Sequence, residues 1–263
     1  MSDQIPHMPT IFVGHGSPMN ALGGAYADTW RALGDSLPRP KAILCISAHW
    51  YVEETAVTAM SAPRTIHDFG GFPQPLYEMT YPAPGDAALA QRISDLLAPI
   101  PVRQDREWGL DHGAWSVLVH MFPDADLPVL QLAIDQRQPP AFHYELGRKL
   151  AALRAEGVLI LGSGDWVHNL RVAIRAPSAT PFDWADRFNE TVKALIVGHD
   201  HAPLIDWIGL GQDAALSIPT DEHYLPLLYV LGAQGEGDEV AFFNDAIELG
   251  AISMTGVVVG RRG

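Results

Sequence analysis

Five of the histidines in this chain stand where an apolar run gives way to a turn or where a helix begins. Residues of that type in those places suit metal or proton chemistry. His15 lies between Gly14 and Gly16, directly after the run Thr10–Val13. His49 falls at the end of Ile43–Trp50 (ILCISAHW), and His168 closes GSGDWVH after Val158–Leu161. His112 falls in LDHG ahead of a helical stretch. His223 follows Thr220, Asp221 and Glu222, and Thr220 or Asp221 is expected to cap the helix that His223 begins. Imidazole is the commonest metal ligand and titrates near neutrality. The glycines around His15 let the backbone turn tightly and approach a ligand. On pattern alone two readings stand: a shared metal site, or five unrelated polar residues in sheet-end loops.

The remaining histidines read more plainly. His7 lies in a polar N-terminal stretch and is expected to be solvated. His120 and His143 fall within helical patterns, where a hydrogen-bonded or partly exposed imidazole is ordinary. His199 and His201, in GHDH, have metal-like spacing but follow a helix end, where the dipole favours cationic side chains.

The elements that must hold the five histidines alternate between strand and helix. Ile43–Trp50 is an apolar run rich in β-formers, as expected of a strand buried on both faces. Thr10–Val13 and Val158–Leu161 follow the same grammar, and histidines at the C-terminal ends of such strands lie where open α/β sheets bind ligands. Ala56–Met60, Pro101–Gln104 and Leu127–Ile134 are predicted as further strands, with two more at Val240–Phe243 and Ile252–Val259. Helical spacing predicts helices over Ala25–Leu37, Ala87–Ala98, Ala114–Phe122, Trp184–Val197 and His223–Leu231. Phe142, Leu146, Leu150 and Leu153 mark another, ending before Gly157. Such alternation implies a single α/β domain over residues 1–263, with a central, mostly parallel mixed sheet covered by helices on both faces. The stretch from Ser61 to Asp86 has no periodicity but carries Phe69, Phe72, Tyr77 and Tyr81. A loop of that length is expected to be functional, with His67, Asp68, Phe69 and Phe72 as candidate substrate contacts. For Phe69 and Phe72 the alternative is that they only anchor the loop to the core.

Composition narrows the classes. Lys and Arg total 17 against 31 Asp and Glu, a net charge of −14 that argues against phosphate-backbone binding and against a membrane surface. No apolar run approaches the roughly 18–20 residues of a spanning helix. The start, MSDQIPHMPT, has neither the charged nor the apolar part of a secretory signal. The single cysteine, Cys45, excludes an internal disulfide and is expected to be an inert core residue. These features predict a soluble, cytoplasmic protein, a monomer or small homo-oligomer, with no nucleic-acid or membrane partner.

Seven motifs in order along nearly the whole chain carry a more specific signal. They are GHGSPMN (14–20), SAHW (47–50), TIHDFGGFP (65–73), YPAPG (81–85), DHGAW (111–115), GSGDWVHNL (162–170) and EHYLPLLYVLGA (222–233). On these residues the chain resembles the class III extradiol ring-cleaving dioxygenases, the superfamily of the protocatechuate 4,5-dioxygenase catalytic subunit. Within it the chain looks most like the 4,5-DOPA dioxygenase branch. The resemblance implies an α/β fold, one mononuclear metal, and O2-dependent opening of a catechol ring beside its hydroxyl pair. It also implies metal ligation by His15, His49 and His223, with His168 as the acid–base histidine and a further candidate ligand, and His112 as a second pocket histidine. The wider superfamily completes two histidines with a glutamate, so Glu222 and His223 both remain candidates for the third position. Fe(II) is the expected working metal, although an all-histidine site would also suit Zn2+ in isolated protein. Arg64 is the expected partner of a substrate carboxylate, and the Asp165-Trp166 pair has no reading at this level. The rival readings are a zinc hydrolase and a metal-binding relative without catalysis.

Overall fold

A computed structural model describes residues 7–176 and 179–260; the first six residues of the N-terminal stretch lie outside it. Six strands form the central sheet, in the order Val129–Gln131, Ala42–Ser47, Val158–Gly164, Thr10–Gly14, Gly256–Gly260 and Glu239–Phe243. The first four run parallel, and the last two join antiparallel. Alternation of side chains along each strand explains why these runs are apolar throughout. Ile43 and Cys45 pack with Trp30, Trp115 and Leu118 on one face, whereas Leu44 and Ile46 pack with Leu146, Phe188 and Leu228 on the other. Helices Ala25–Ser36 and His112–Met121 cover the first face. Helices Ala87–Leu97, Pro140–Leu150, Asp183–Val197 and Leu225–Gly232 cover the second. Each large apolar side chain so buried contributes about 1.5–3 kcal/mol. Cys45 is fully buried, as expected of a small core residue.

Several boundaries depart from the sequence reading, for physical reasons. The central strand stops at Ser47, and His49 stands in the turn beyond it. Ala56–Thr58 does not join the central sheet but pairs with Arg103–Asp105 in a separate ladder. The run 127–134 splits into Val129–Gln131 in the sheet and Ile134–Asp135, which pairs with Tyr51–Val52. The run 252–259 splits likewise: Ile252–Ser253 forms a hairpin with Ile247–Glu248, and Gly256–Gly260 enters the sheet. The helix predicted from His223 begins at Leu225, with Pro226 in its first turn and no side-chain cap. Asp221 meets the helix start through its backbone carbonyl, which accepts the amides of Tyr224 and Leu225, while its carboxylate accepts the Tyr51 hydroxyl at 2.8 Å. His223 is therefore left in the turn ahead of the helix. The short helices Ala202–Ile205, Trp207–Leu210 and Gln212–Ser217 are too brief for a periodic signal.

Candidate metal centre and substrate pocket

Register between the parallel strands brings the first two histidines together. Gly14 pairs with Gly164, and Ser47 pairs with Ser163, so the three strands end level. The ladder runs one step further, with His15 N donating to Gly164 O at 3.1 Å and Ala48 N donating to Ser163 O at 3.0 Å. His15 and His49 thus leave the sheet side by side, and their Nε2 atoms lie 3.1 Å apart. Gly164 lets the turn carrying His223 press onto the strand end: a Cβ there would stand 2.1 Å from the His223 carbonyl oxygen. His112 opens the helix capped by Asp111, whose carboxylate also accepts the hydroxyl of Ser47 and the amide of Gln131.

Polar groups stand behind each of these rings, on the Nδ1 side. Ser163 Oγ donates its one proton to the Gly113 carbonyl, so it can only accept from Nδ1 of His15, 3.0 Å away. Asp68 Oδ2 lies 3.0 Å from His112 Nδ1 and 3.3 Å from His49 Nδ1. Its Oδ1 accepts the His112 backbone amide at 2.9 Å. Burial pushes the Asp68 carboxyl up, but the nearby His112 ring, the charge of His49 and the His112 amide outweigh it and hold it below its ordinary range. An ionised carboxylate so placed attracts protons to Nδ1 of His49 and His112, although neither ring N–H is aligned for a hydrogen bond to it. Glu222 Oε1 is hydrogen-bonded to His223 Nδ1 at 3.1 Å while accepting the Thr220 hydroxyl. With both rings protonated on Nδ1, the Nε2 lone pairs of His15 and His49 face one another at 3.1 Å.

Burial also disfavours the charged form of His15, His49, His168 and His223. Burial, then the neighbouring imidazoles, holds His15 and His223 well below their ordinary value. His49 is lowered by burial and by His112, against the opposing charges of Asp111, Asp68 and Glu222. His168 is lowered to about 4, chiefly by burial, and its ring stacks on His223 at 3.6 Å between centroids. All five histidines line one cavity of about 470 Å3. Donor atoms of His15, His49 and His112 lie within 4.8 Å of one another, as do those of His15, Asp165 and His223. A third such group is His168, Glu222 and His223, so His15 and His223 each belong to two of the three.

Phe69 and Phe72 form a wall of the cavity and also pack against the core, so they both line the pocket and anchor the loop. His67 is turned elsewhere, with its Nε2 2.9 Å from the Met79 carbonyl and its ring against Trp115 and Tyr77. Asp68 stands behind the histidines and is not part of the cavity lining. Arg64 is exposed and donates to the Trp108 carbonyl outside the cavity; the arginine that lines it is Arg175. Glu222 is absent from the lining, which holds His223. The Asp165-Trp166 pair has two separate roles. Asp165 is buried beneath the site, accepts the Gly16 amide, and has its carboxyl raised by burial. Trp166 stacks on Phe12 and donates to Asn189 in the core. His120 bonds the Asn20 carbonyl, and His143 bonds the Tyr229 hydroxyl. Ser163 carries no sequence signal of its own, and Asp68 none for a place behind the rings, because these roles depend on partners distant in the chain.

A divalent metal fits these residues. Two nitrogens about 2.0–2.1 Å from one ion, at angles of about 90–110°, lie about 2.9–3.4 Å apart, which brackets the observed Nε2 separation. Neutral imidazoles with free Nε2 atoms are the ligating form, and acceptors behind each ring are the usual outer layer of a metal site. Comparison with known proteins agrees. Residues 4–260 match the family described as the catalytic LigB subunit of aromatic ring-opening dioxygenase. The chain is 52% identical to the 4,5-DOPA dioxygenase extradiol of Escherichia coli strain K12, covering 96% of this chain and 95% of that one. It is 36% identical to the protein of the same name from Beta vulgaris, with 93% of each covered. An uncharacterized protein of Escherichia coli K12, solved by crystallography, superposes with a TM-score of 0.85 at 48% identity, over 96% of this chain and 100% of that one. No described helix is long and apolar enough to cross a membrane. The chain belongs to the LigB family, and it is an extradiol enzyme that opens aromatic rings.

Proposed function

We propose that the protein opens the ring of a DOPA-like catechol with O2 at a single Fe(II) held by His15, His49 and His223. One observation carries the reading: the Nε2 atoms of His15 and His49 converge at 3.1 Å in a cavity walled by Phe69 and Phe72. The substrate class comes from the relatives, several of which are named 4,5-DOPA dioxygenase extradiol. His223 is preferred to Glu222 because its ring lines the cavity while Glu222 braces it from behind. When bound, the ferrous ion supplies a Lewis-acidic, redox-active centre that acidifies a catechol hydroxyl.

The chain's own groups do the rest. Phe69 and Phe72 flank the catechol ring and exclude water from it. His168, neutral at pH 7 with its pKa lowered to about 4, accepts a catechol proton and returns it to the opening product. His112, oriented by Asp68, holds a substrate oxygen by hydrogen bonding. The cavity volume lies in the usual range for a small-molecule site.

The test loads the metal-free protein anaerobically with Fe(II) or Zn2+ and follows O2 uptake with DOPA, alongside an esterase assay. Uptake is expected with Fe(II) and none with Zn2+, which has no redox chemistry. Equal uptake with both metals, or ester hydrolysis in its place, refutes the reading. His223→Ala is expected to lose the metal, whereas His112→Ala keeps it and loses turnover; the reverse would make His112 the third ligand.

A further inference from the structure

Beyond its histidines, the cavity lining holds one cation and one anion, Arg175 and Glu248. The backbone sets them side by side, because Ile174 N donates to Leu249 O at 2.8 Å and the two charged residues flank that bond. No ion pair among the described residues joins Arg175 to Glu248, and Arg175 has no hydrogen-bond partner there. Glu248 is held in place by the phenol of Tyr26, which burial and then the Glu248 charge push up to about 12.

The distance from these charges to the histidines follows from strand geometry. His168 bridges to Ile252, and Ile252 pairs with Glu248, so Glu248 lies two strand spacings from His168 on the same side. At about 4.8 Å per spacing that is roughly 10 Å. Leu170, Ala173 and Ile252 line the cavity as well and make that end apolar apart from the two charges. A catechol at the histidines would therefore direct its ring substituent toward one positive and one negative group. In a chain of net charge −14, an exposed arginine with no ion-pair or hydrogen-bond partner among the described residues is a specific point of attraction for a carboxylate.

Resting on the catechol reading above, we propose that Arg175 and Glu248 are the specificity-determining residues for an amino-acid side chain on the substrate. Arg175 donates to its carboxylate, and Glu248 accepts from its ammonium. A catechol bearing a zwitterion is then preferred to one bearing either charge alone or none.

The experiment measures kcat and KM of the Fe(II)-loaded enzyme with four catechols. These are 3,4-dihydroxyphenylalanine with both charges, dopamine with the ammonium alone, 3,4-dihydroxyhydrocinnamate with the carboxylate alone, and 4-methylcatechol with neither. Arg175→Gln is expected to raise KM about five- to tenfold for the two carboxylate-bearing substrates, the range for a charged hydrogen bond partly screened by solvent. Glu248→Gln should do the same for the two ammonium-bearing ones. In both variants KM for 4-methylcatechol should stay within about twofold. Binding of the four compounds to the Zn2+-loaded protein, read by calorimetry, should follow the same pattern without turnover. Equal shifts across all four compounds, or no shift in any, overturn the proposal while leaving ring opening intact. A parent enzyme that opens none of the four, 4-methylcatechol included, overturns the functional reading and this proposal with it.

Discussion

Replacing Asp68 by Asn should loosen the metal without unfolding the chain, and the structure sets the size of the effect. One carboxylate accepts the His112 backbone amide at 2.9 Å and stands 3.0 Å from Nδ1 of His112 and 3.3 Å from Nδ1 of His49. An amide of the same shape offers one accepting oxygen and one donating NH2. The side-chain NH2 then meets either both ring Nδ1 atoms, whose protons would have to move to Nε2 on the cavity side, or the His112 backbone amide, which would swing the side chain away from the rings. Loss of such a partner typically costs 10–100-fold in metal affinity. Here the lower end applies, about tenfold or ~1.4 kcal/mol. Of the proposed ligands only His49 depends on Asp68, and the contact is the longer of the two ring contacts. Chelator competition for Zn2+ at pH 7.5 measures the affinity, and thermal melting of the metal-free protein checks the fold. An Asp68→Asn variant that binds metal within twofold of the parent while melting normally would refute the claim that Asp68 sets the His49 tautomer.

Two further outcomes follow from buried groups. His143, fully buried against Tyr229, has its pKa lowered to about 4 by burial. The unfolded chain takes up that proton below about 6.5, so stability falls as pH drops from about 6.5 toward 4, by ~2 kcal/mol at pH 5. In urea titrations at pH 7.5 and 5.0, His143→Gln should lose about that much less stability on acidification; an unchanged difference would show the imidazole is not held neutral. Gly164→Ala should destabilise by about 1–3 kcal/mol and weaken metal binding together, because its Cβ meets the His223 carbonyl oxygen at 2.1 Å. A normal melting temperature with normal metal affinity would contradict that packing.

The histidines that converge were legible because each follows a chemical punctuation mark. Gly-His-Gly, an apolar run ending on Ala-His-Trp, and a histidine after Gly-Ser-Gly all place imidazole at the end of a buried strand, and parallel register does the rest. The sheet itself was legible for the same reason, since two buried faces demand unbroken apolar runs. What stayed hidden depends on single long-range contacts. Asp68 sits in an aperiodic loop, and nothing in TIHDFGG says that its carboxylate reaches two rings anchored elsewhere. Arg64 drew attention by lying next to that loop, yet it is held on the outside by the Trp108 carbonyl. Arg175 and Glu248 are brought together by one backbone bond between segments some seventy positions apart, which no local pattern encodes. The helix starts at Leu225 rather than His223 because the turn 221–224 is closed by the Asp221 backbone carbonyl, a contact no local pattern announces.

In the proposed three-histidine site these hidden contacts bear on how charge is managed. A dication bound by three neutral imidazoles keeps its full charge in a buried place, whereas a two-histidine, one-carboxylate set neutralises part of it directly. In this protein the carboxylates stand one layer back. Asp68 backs His49 and His112, and Glu222 backs His223. Through Nδ1 they pull proton density away from the ring and make Nε2 a stronger donor. Ser163, a neutral group, does this for His15, and the buried Asp165 beneath it is pushed toward its uncharged form. Negative charge is thus concentrated on the His49, His112 and His223 side, and withheld from the side where His15 meets Asp165. A catechol that gives up protons on binding brings its own negative charge to the ion. Holding the protein's carboxylates outside the first layer leaves the metal positive enough to take that charge, while the rings remain rigid enough to place it.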